Sequence, residues 1–179
     1  MPPVSAEAAG AADAVIERLP SPGEFRTAMR NFVGNVSVLT VGEGEDRSGL
    51  VVTSAISLSA EPPLLLACVN RSASSWPLFG RYGCFGWSAL GAGHQKIAER
   101  FAGFGGIKGV QRYEGASWVT GKTGAPLLED AVVGIDCTVE DMIDRATHSI
   151  LIGRVRDIRI RSGQGALIYW NGTFRGLDD

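Results

Sequence analysis

Apolar and polar positions along the chain fall first into a helical rhythm and then into a long series of strand rhythms. Ser21-Pro22-Gly23-Glu24 sets a capping hydroxyl, a first-turn proline and a reciprocal glutamate in order. Phe25, Met29 and Phe32 then recur at i, i+4 and i+7, which predicts one apolar helical stripe that Gly34 can end. Two β-branched runs, Val36–Val41 and Gly49–Thr53, flank the turn-rich residues 42–48 and predict a hairpin. Further strands are predicted over Leu64–Val69 and Cys84–Leu90, with a short helix started by Ser74-Ser75-Trp76-Pro77 between them. Ile97, Ala98 and Phe101 make a second helical stripe opposite Lys96, Glu99 and Arg100. After a glycine-rich loop over residues 103–115, strands return at Val132–Met142, Ser149–Ile160 and Leu167–Trp170, and an Asn171-Gly172 turn leads to a last short segment. About seven strands and three helices, with strand mostly following strand, predict a mainly β, antiparallel fold that closes into a barrel. The domain is expected over residues 21–179, preceded by an Ala/Pro-rich arm at residues 1–20.

Composition narrows the function. Of 179 residues, 24 are glycine without a G-X-Y period, which favours turns over a fibrous chain. The 17 basic and 19 acidic residues give a net charge of −2, so nucleic acid is not an expected partner. Three widely spaced cysteines and two histidines supply neither a zinc pair nor a closed disulfide framework, and no metal site is expected. No apolar run approaches the ~20 residues of a membrane-spanning helix. The N-terminus lacks a basic start and an apolar secretion segment. A cytoplasmic protein with reduced thiols is therefore the expectation.

Several phosphate-loop signatures nearly occur. Gly121-Lys122-Thr123 resembles the end of a P-loop, but the position five residues earlier is Ala116. Gly91-Ala92-Gly93 begins like a dinucleotide fingerprint, yet Lys96 stands at the third glycine position. Arg154, Arg156, Arg159 and Arg161 form two pairs of period two with a change of phase, as expected for the solvated face of a bulged strand. His94 reads as an exposed helix-start histidine and His148, on its residues alone, as a partly buried, hydrogen-bonded strand residue.

One segment is richer in hydroxyls than strand filler requires. Thr53, Ser54, Ser57 and Ser59 lie within Gly49–Pro63, and Asn70-Arg71-Ser72 and Ser74-Ser75 follow the next strand. Hydroxyls and open amides can bind phosphate without a large positive charge; the same residues can equally serve as turn and cap formers.

The order of these segments resembles the flavin reductase family, the small reductase components of two-component flavin-dependent monooxygenases. The likeness runs from Phe25 to about Arg175 through FRTAMRNFVGNVSVLTV, GLVVTSAISLSAEPPLLLACVNRSASSW, CFGWSAL, IAERFAG, TGAPLLEDAVVGIDCTV, THSILIG and ALIYWNGTFR. The resemblance implies an FMN-binding split β-barrel, usually a homodimer, that uses NADH or NADPH to reduce FMN or FAD for a partner oxygenase. It implies flavin contacts from Gly49, Leu50, Val51, Thr53 and Ser54, from Asn70, Ser74 and Ser75, and from Arg100 and Phe101. It places His148 beside the nicotinamide, and Tyr169, Trp170, Asn171 and Gly172 in the stretch associated with the nucleotide. The chain departs from the family's Gly-Asp-His turn, which here reads Ala146-Thr147-His148, and Val51 stands where a hydroxyl is frequent. Ser88 stands where asparagine is common, and His94 falls in a column often filled by glutamine. Two other functions fit the same scaffold: a flavoprotein reducing a different acceptor, and a flavin carrier without hydride transfer.

Overall fold

In the computed structural model of the chain, residues 18–178 are described; most of the expected N-terminal arm lies outside them. The chain divides into two compact units, Met1–Phe32 and Val33–Asp179. In the first, helix α1 (Pro22–Met29) opens on the expected capping box: the Glu24 amide donates to Ser21 Oγ at 3.2 Å, and the Ser21 amide donates to a Glu24 carboxylate oxygen at 2.9 Å. The hydrogen bonds with Ser21 hold the Glu24 carboxyl below its usual range. The stripe forms as spaced, but Phe25, Met29 and Phe32 are exposed. Gly34 does not end the helix, which stops at Met29 with Arg30 as its cap.

The second unit contains strands β1 (Gly34–Asn35), β2 (Ser37–Val41), β3 (Ser48–Val52), β4 (Ile56–Ala60), β5 (Pro63–Asn70), β6 (Cys84–Ala89), β7 (Trp118–Thr120), β8 (Pro126–Leu128), β9 (Val133–Arg145), β10 (His148–Ile160), β11 (Ala166–Trp170) and β12 (Thr173–Leu177). Helix α2 (Trp76–Tyr82) follows β5, and α3 (Gln95–Ala102) follows β6. All strand pairs are antiparallel. The predicted hairpin pairs Ser37 with Val52 and Val41 with Ser48.

Seven strands form one sheet in the order β3-β2-β6-β9-β10-β5-β4. Its two outer strands, β3 and β4, are consecutive in the chain and joined only by Thr53-Ser54-Ala55. A connector of that length spans roughly 10–14 Å, so the sheet must curl until its edges approach. Ser54 bridges to β5: its hydroxyl accepts from the Cys68 amide at 3.1 Å and donates to the Cys68 carbonyl at 3.3 Å. The result is an antiparallel split β-barrel. A three-stranded sheet, β1-β11-β12, and the small β7-β8 pair complete it.

Two apolar clusters fill the unit. One holds Leu39, Val41, Phe79, Phe85, Cys137 and Leu151. Burial pushes the Cys137 thiol up to about 12. The other holds Val36, Val38, Leu90, Ile97, Phe101, Tyr113 and Leu167, and so joins β2, β11 and α3.

The pattern missed β4, where Ser57 and Ser59 alternate with Ile56 and Leu58 and read as a loop, and the three-residue strands β7 and β8. It ended β9 too early because the β9–β10 turn carries no glycine or asparagine; Ala146 itself takes φ 49°. The arginine run behaves as its phase predicts. A register shift falls between Val155 and Asp157, Arg154 pairs with Glu140 at 2.7 Å, and Arg156, Arg159 and Arg161 are exposed. The Gly121-Lys122-Thr123 sequence is the β7–β8 turn. Its Thr123 amide and hydroxyl donate at 2.7 and 2.5 Å to the carboxylate of buried Asp136.

Candidate functional site

The expected flavin segment straddles the split between β3 and β4. Gly49 is buried, and a Cβ there would lie 2.7 Å from Phe101 Cε1 and overlap the Leu39 carbonyl. Leu50 packs half-buried on the barrel core. Val51, Val52 and Thr53 line a cleft of about 220 Å3 whose other walls are Ala102, Phe104, Tyr169 and Phe174. Thr53 is backed by Gly34, where a Cβ would come within 2.7 Å of the Thr53 Cβ. Ser54 is occupied by its bridge to Cys68.

Arg100 and Phe101 close this corner from beneath. Phe101 is only 1% exposed, in edge and tilted contact with Tyr113 and Trp118 at centroid distances of 5.3 and 5.4 Å. The resemblance implies an aromatic side chain next to flavin, but within this chain Phe101 has no open face. Arg100 donates to the carbonyls of Gln111 and Arg112 and pairs with Glu114 at 2.8 Å, so it fixes the 3-10 turn Gly109–Tyr113. That turn supplies a residue the sequence reading passed over. Arg112 donates through Nη1 to the Gly49 carbonyl and, at 3.1 Å, to the Phe101 carbonyl. Burial lowers the pKa of its guanidinium. Beside it, the Tyr113 hydroxyl donates to the Ser48 carbonyl at 2.6 Å, and burial raises the tyrosine pKa strongly. The period of the 103–115 loop carried no signal for either contact, since both depend on the chain folding back on β3.

A second, more polar cleft of about 530 Å3 lies where β5 ends against the β9–β10 turn, lined by Asn70, Arg71, Ser72, Trp76, Ala146 and Thr147. Asn70 Oδ1 accepts from the Ser72 amide and hydroxyl at 2.9 and 2.8 Å. The Arg71 guanidinium stands 5.7 Å over the Trp76 ring and 3.4 Å from Asp144. The Trp76 indole donates to Ser149 Oγ at 2.8 Å, which donates to Asp144 at 2.6 Å. Ser74 is exposed, whereas Ser75 is fully buried with no hydrogen-bond partner for its hydroxyl. His148 opens β10 directly opposite Asn70, is exposed, and has Nδ1 2.9 Å from Thr147 Oγ1. Thr147 thus contacts the imidazole from the turn position that is acidic in the family pattern.

The C-terminal hairpin β11–β12 carries Tyr169 and Trp170, 37% and 36% exposed. Asn171 and Gly172 have φ of 50° and 81°, the paired left-handed conformation of a tight hairpin turn. Tyr169 meets Phe174 edge-on at 5.1 Å, and Arg175 stands 4.8 Å over Trp170. The fold therefore brings Tyr169 to Val51 and Thr53, and His148 to Asn70. Neither cleft contains both His148 and Tyr169. His94 is not exposed as expected: its side chain is 13% accessible, Nδ1 accepts from the Gly91 amide at 3.0 Å, and Nε2 lies 3.2 Å from Asp130.

Comparison with known proteins converges on one family. The family described as flavin reductase like domain matches residues 29–178. The FMN reductase (NADH) RutF of Agrobacterium fabrum is 36% identical over 154 residues, covering 86% of this chain and 87% of the relative. BorF, the flavin reductase component of a bacterial two-component tryptophan halogenase, is 32% identical with a TM-score of 0.81 over 89% of this chain and 99% of its own. The NADH:FAD oxidoreductase SgcE6 of Streptomyces globisporus C-1027, solved with NAD and FAD fragments, is 30% identical with a TM-score of 0.79 over 88% of this chain and 95% of that chain. With a family match over most of its length and a split barrel common to these structures, the chain belongs to the flavin reductase family and is an oxidoreductase of that class.

Proposed function

We propose that the protein reduces FMN with NADH and releases the reduced flavin to a separate flavin-dependent oxygenase. The observation that carries this reading is the three-residue connector at the barrel split, whose Thr53 lines the aromatic-walled cleft and whose Ser54 is tied to Cys68, two residues before Asn70 of the polar cleft. Val51, Val52, Tyr169 and Phe174 offer apolar surface to a flat ring, and Thr53 adds a hydroxyl at its rim. Arg71, Ser72 and exposed Ser74 offer a guanidinium and hydroxyls to a phosphate-bearing chain. The residues present thus fit a flavin nucleotide. When bound, the nicotinamide supplies a hydride and the isoalloxazine accepts it.

The chain's contribution is position. The connector is short at both ends and pinned by Ser54, so Thr53 has little freedom relative to Tyr169. His148 engages Thr147 through one ring nitrogen and keeps the other for the nucleotide. Asn171 and Gly172 act by setting the hairpin that carries Tyr169 and Trp170. A homodimer, in which a second copy covers exposed Ile56, Leu58, Tyr169 and Trp170, and a cytoplasmic location are part of this proposal. Among the described residues no helix is long and apolar enough to cross a membrane. The name of the RutF relative supports NADH and FMN, SgcE6 shares NADH but is named for FAD, and BorF's role in a two-component system supports a separate oxygenase.

The test is NADH oxidation by the purified full chain with FMN, with FAD and with no flavin. Oxidation that requires added flavin and is fastest with FMN is expected. No flavin-dependent oxidation with NADH or NADPH would overturn the assignment.

A further inference from the structure

We infer that Arg112 is a positioning residue for flavin, acting through the backbone of β3 rather than by touching the ligand. The inference rests on the reading above. β3 is an outer strand of the seven-stranded sheet, so its free edge has no neighbouring strand to hold it. The 3-10 turn Gly109–Tyr113 packs against this strand and reaches two of its carbonyls, Tyr113 on Ser48 and Arg112 on Gly49. The same Arg112 Nη1 also holds the Phe101 carbonyl at the end of α3, and the Arg112 carbonyl in turn accepts from Arg100 Nε at 3.4 Å. One guanidinium therefore links the start of the Gly49–Ser54 segment to the helix end whose next residue, Ala102, forms the opposite wall of the aromatic cleft.

The neighbouring side chains show that this link is local. Gly49 has no side chain to anchor it, and a Cβ there would strike Phe101. Val51 and Thr53 face the cleft and hold nothing across it. Downstream, the next fixed point is Ser54 on Cys68. The ladder to β2 holds the other edge of β3 as far as Val52, and on the cleft side the wall is tied by Arg112 at one end and Ser54 at the other. Arg112 Nε is buried without a partner, a cost the fold bears while Nη1 spans the two carbonyls. A lysine at this position would keep a cation, but on a flexible stem that does not hold its nitrogen where the rigid guanidinium plane holds Nη1.

The test measures FMN binding by fluorescence quenching, together with steady-state kinetics, in Arg112→Ala, Arg112→Gln and Arg112→Lys. Loss of a charged hydrogen bond at a positioning site predicts a rise in the FMN dissociation constant of about tenfold for the alanine variant and less for lysine. The KM for NADH and the kcat at saturating FMN stay within about twofold of the parent. Hydrogen exchange without ligand speeds up at the amides of residues 49–54 ahead of the rest of the sheet. If alanine fails to fold, glutamine and lysine carry the measurement. FMN affinity equal to the parent's in the folded variants, or a lowered melting temperature with unchanged affinity and exchange, overturns the inference. Absence of flavin binding in the parent protein would instead overturn the proposed function, and the exchange measurement would still decide the role of Arg112.

Discussion

The corner beneath β3 and the corner at the end of β5 contain the same kinds of residue and use them in opposite ways. In the first, Arg100 and Arg112 spend their donors on backbone carbonyls, and Phe101 is enclosed by Tyr113 and Trp118. In the second, Arg71 lies over Trp76 at the wall of an open cleft, with exposed Asn70, Ser72 and His148 around it. An arginine beside an aromatic thus builds a scaffold in one place and a surface for an anionic ligand in the other. What separates them is whether the chain folds back to supply carbonyl acceptors. The 103–115 loop does so over β3, and among the described residues nothing equivalent covers Arg71.

The largest effect that would sharpen this contrast is Phe101→Ala. Removing a fully buried aromatic ring should cost about 3–5 kcal/mol of stability, read from urea unfolding; a loss of flavin affinity at unchanged stability would move Phe101 into the site after all. Gly49→Ala comes next. The added methyl must displace the Leu39 carbonyl or the Phe101 ring, and a loss of about 1–3 kcal/mol is expected from the same measurement. A variant as stable as the parent would show that the corner is looser than it looks.

On the open side, His148→Ala should leave unfolding unchanged and raise the KM for NADH about tenfold without altering FMN affinity. A fall in stability with normal kinetics would make His148 a strand residue only. The smallest effect belongs to neither corner. The hydrogen bond from Lys122 lowers the Asp157 pKa, so this pair adds stability above the ordinary carboxylate range and loses it as pH falls through the lowered value. The melting difference between Lys122→Ala and the parent should therefore be small near neutrality and vanish in acid.

Much of the barrel was legible because its strands announce themselves by alternation and its turns by special residues. Asn171-Gly172 is the clearest case, since two left-handed residues in succession dictate a hairpin whatever surrounds them. The β9–β10 turn was harder, because Ala146 adopts a left-handed conformation that its side chain does not advertise. The residues named for the candidate site fall into two groups in the structure. Thr53, Asn70 and Tyr169 do line clefts, whereas Gly49, Ser54 and Phe101 prove to be committed to packing or to backbone contacts.

The sequence by itself determined the family, most of the longer strands and the capping box of α1, because periodicity, turn chemistry and segment order are local or linear properties. Only the tertiary structure decided that β3 and β4 meet as the two edges of one sheet, that Ser54 and Arg112 hold that meeting place, and that His94 is tied to Gly91 and Asp130. Each depends on carbonyls, amides or carboxylates brought close by the fold, and hydrogen bonds act only over that last few ångströms.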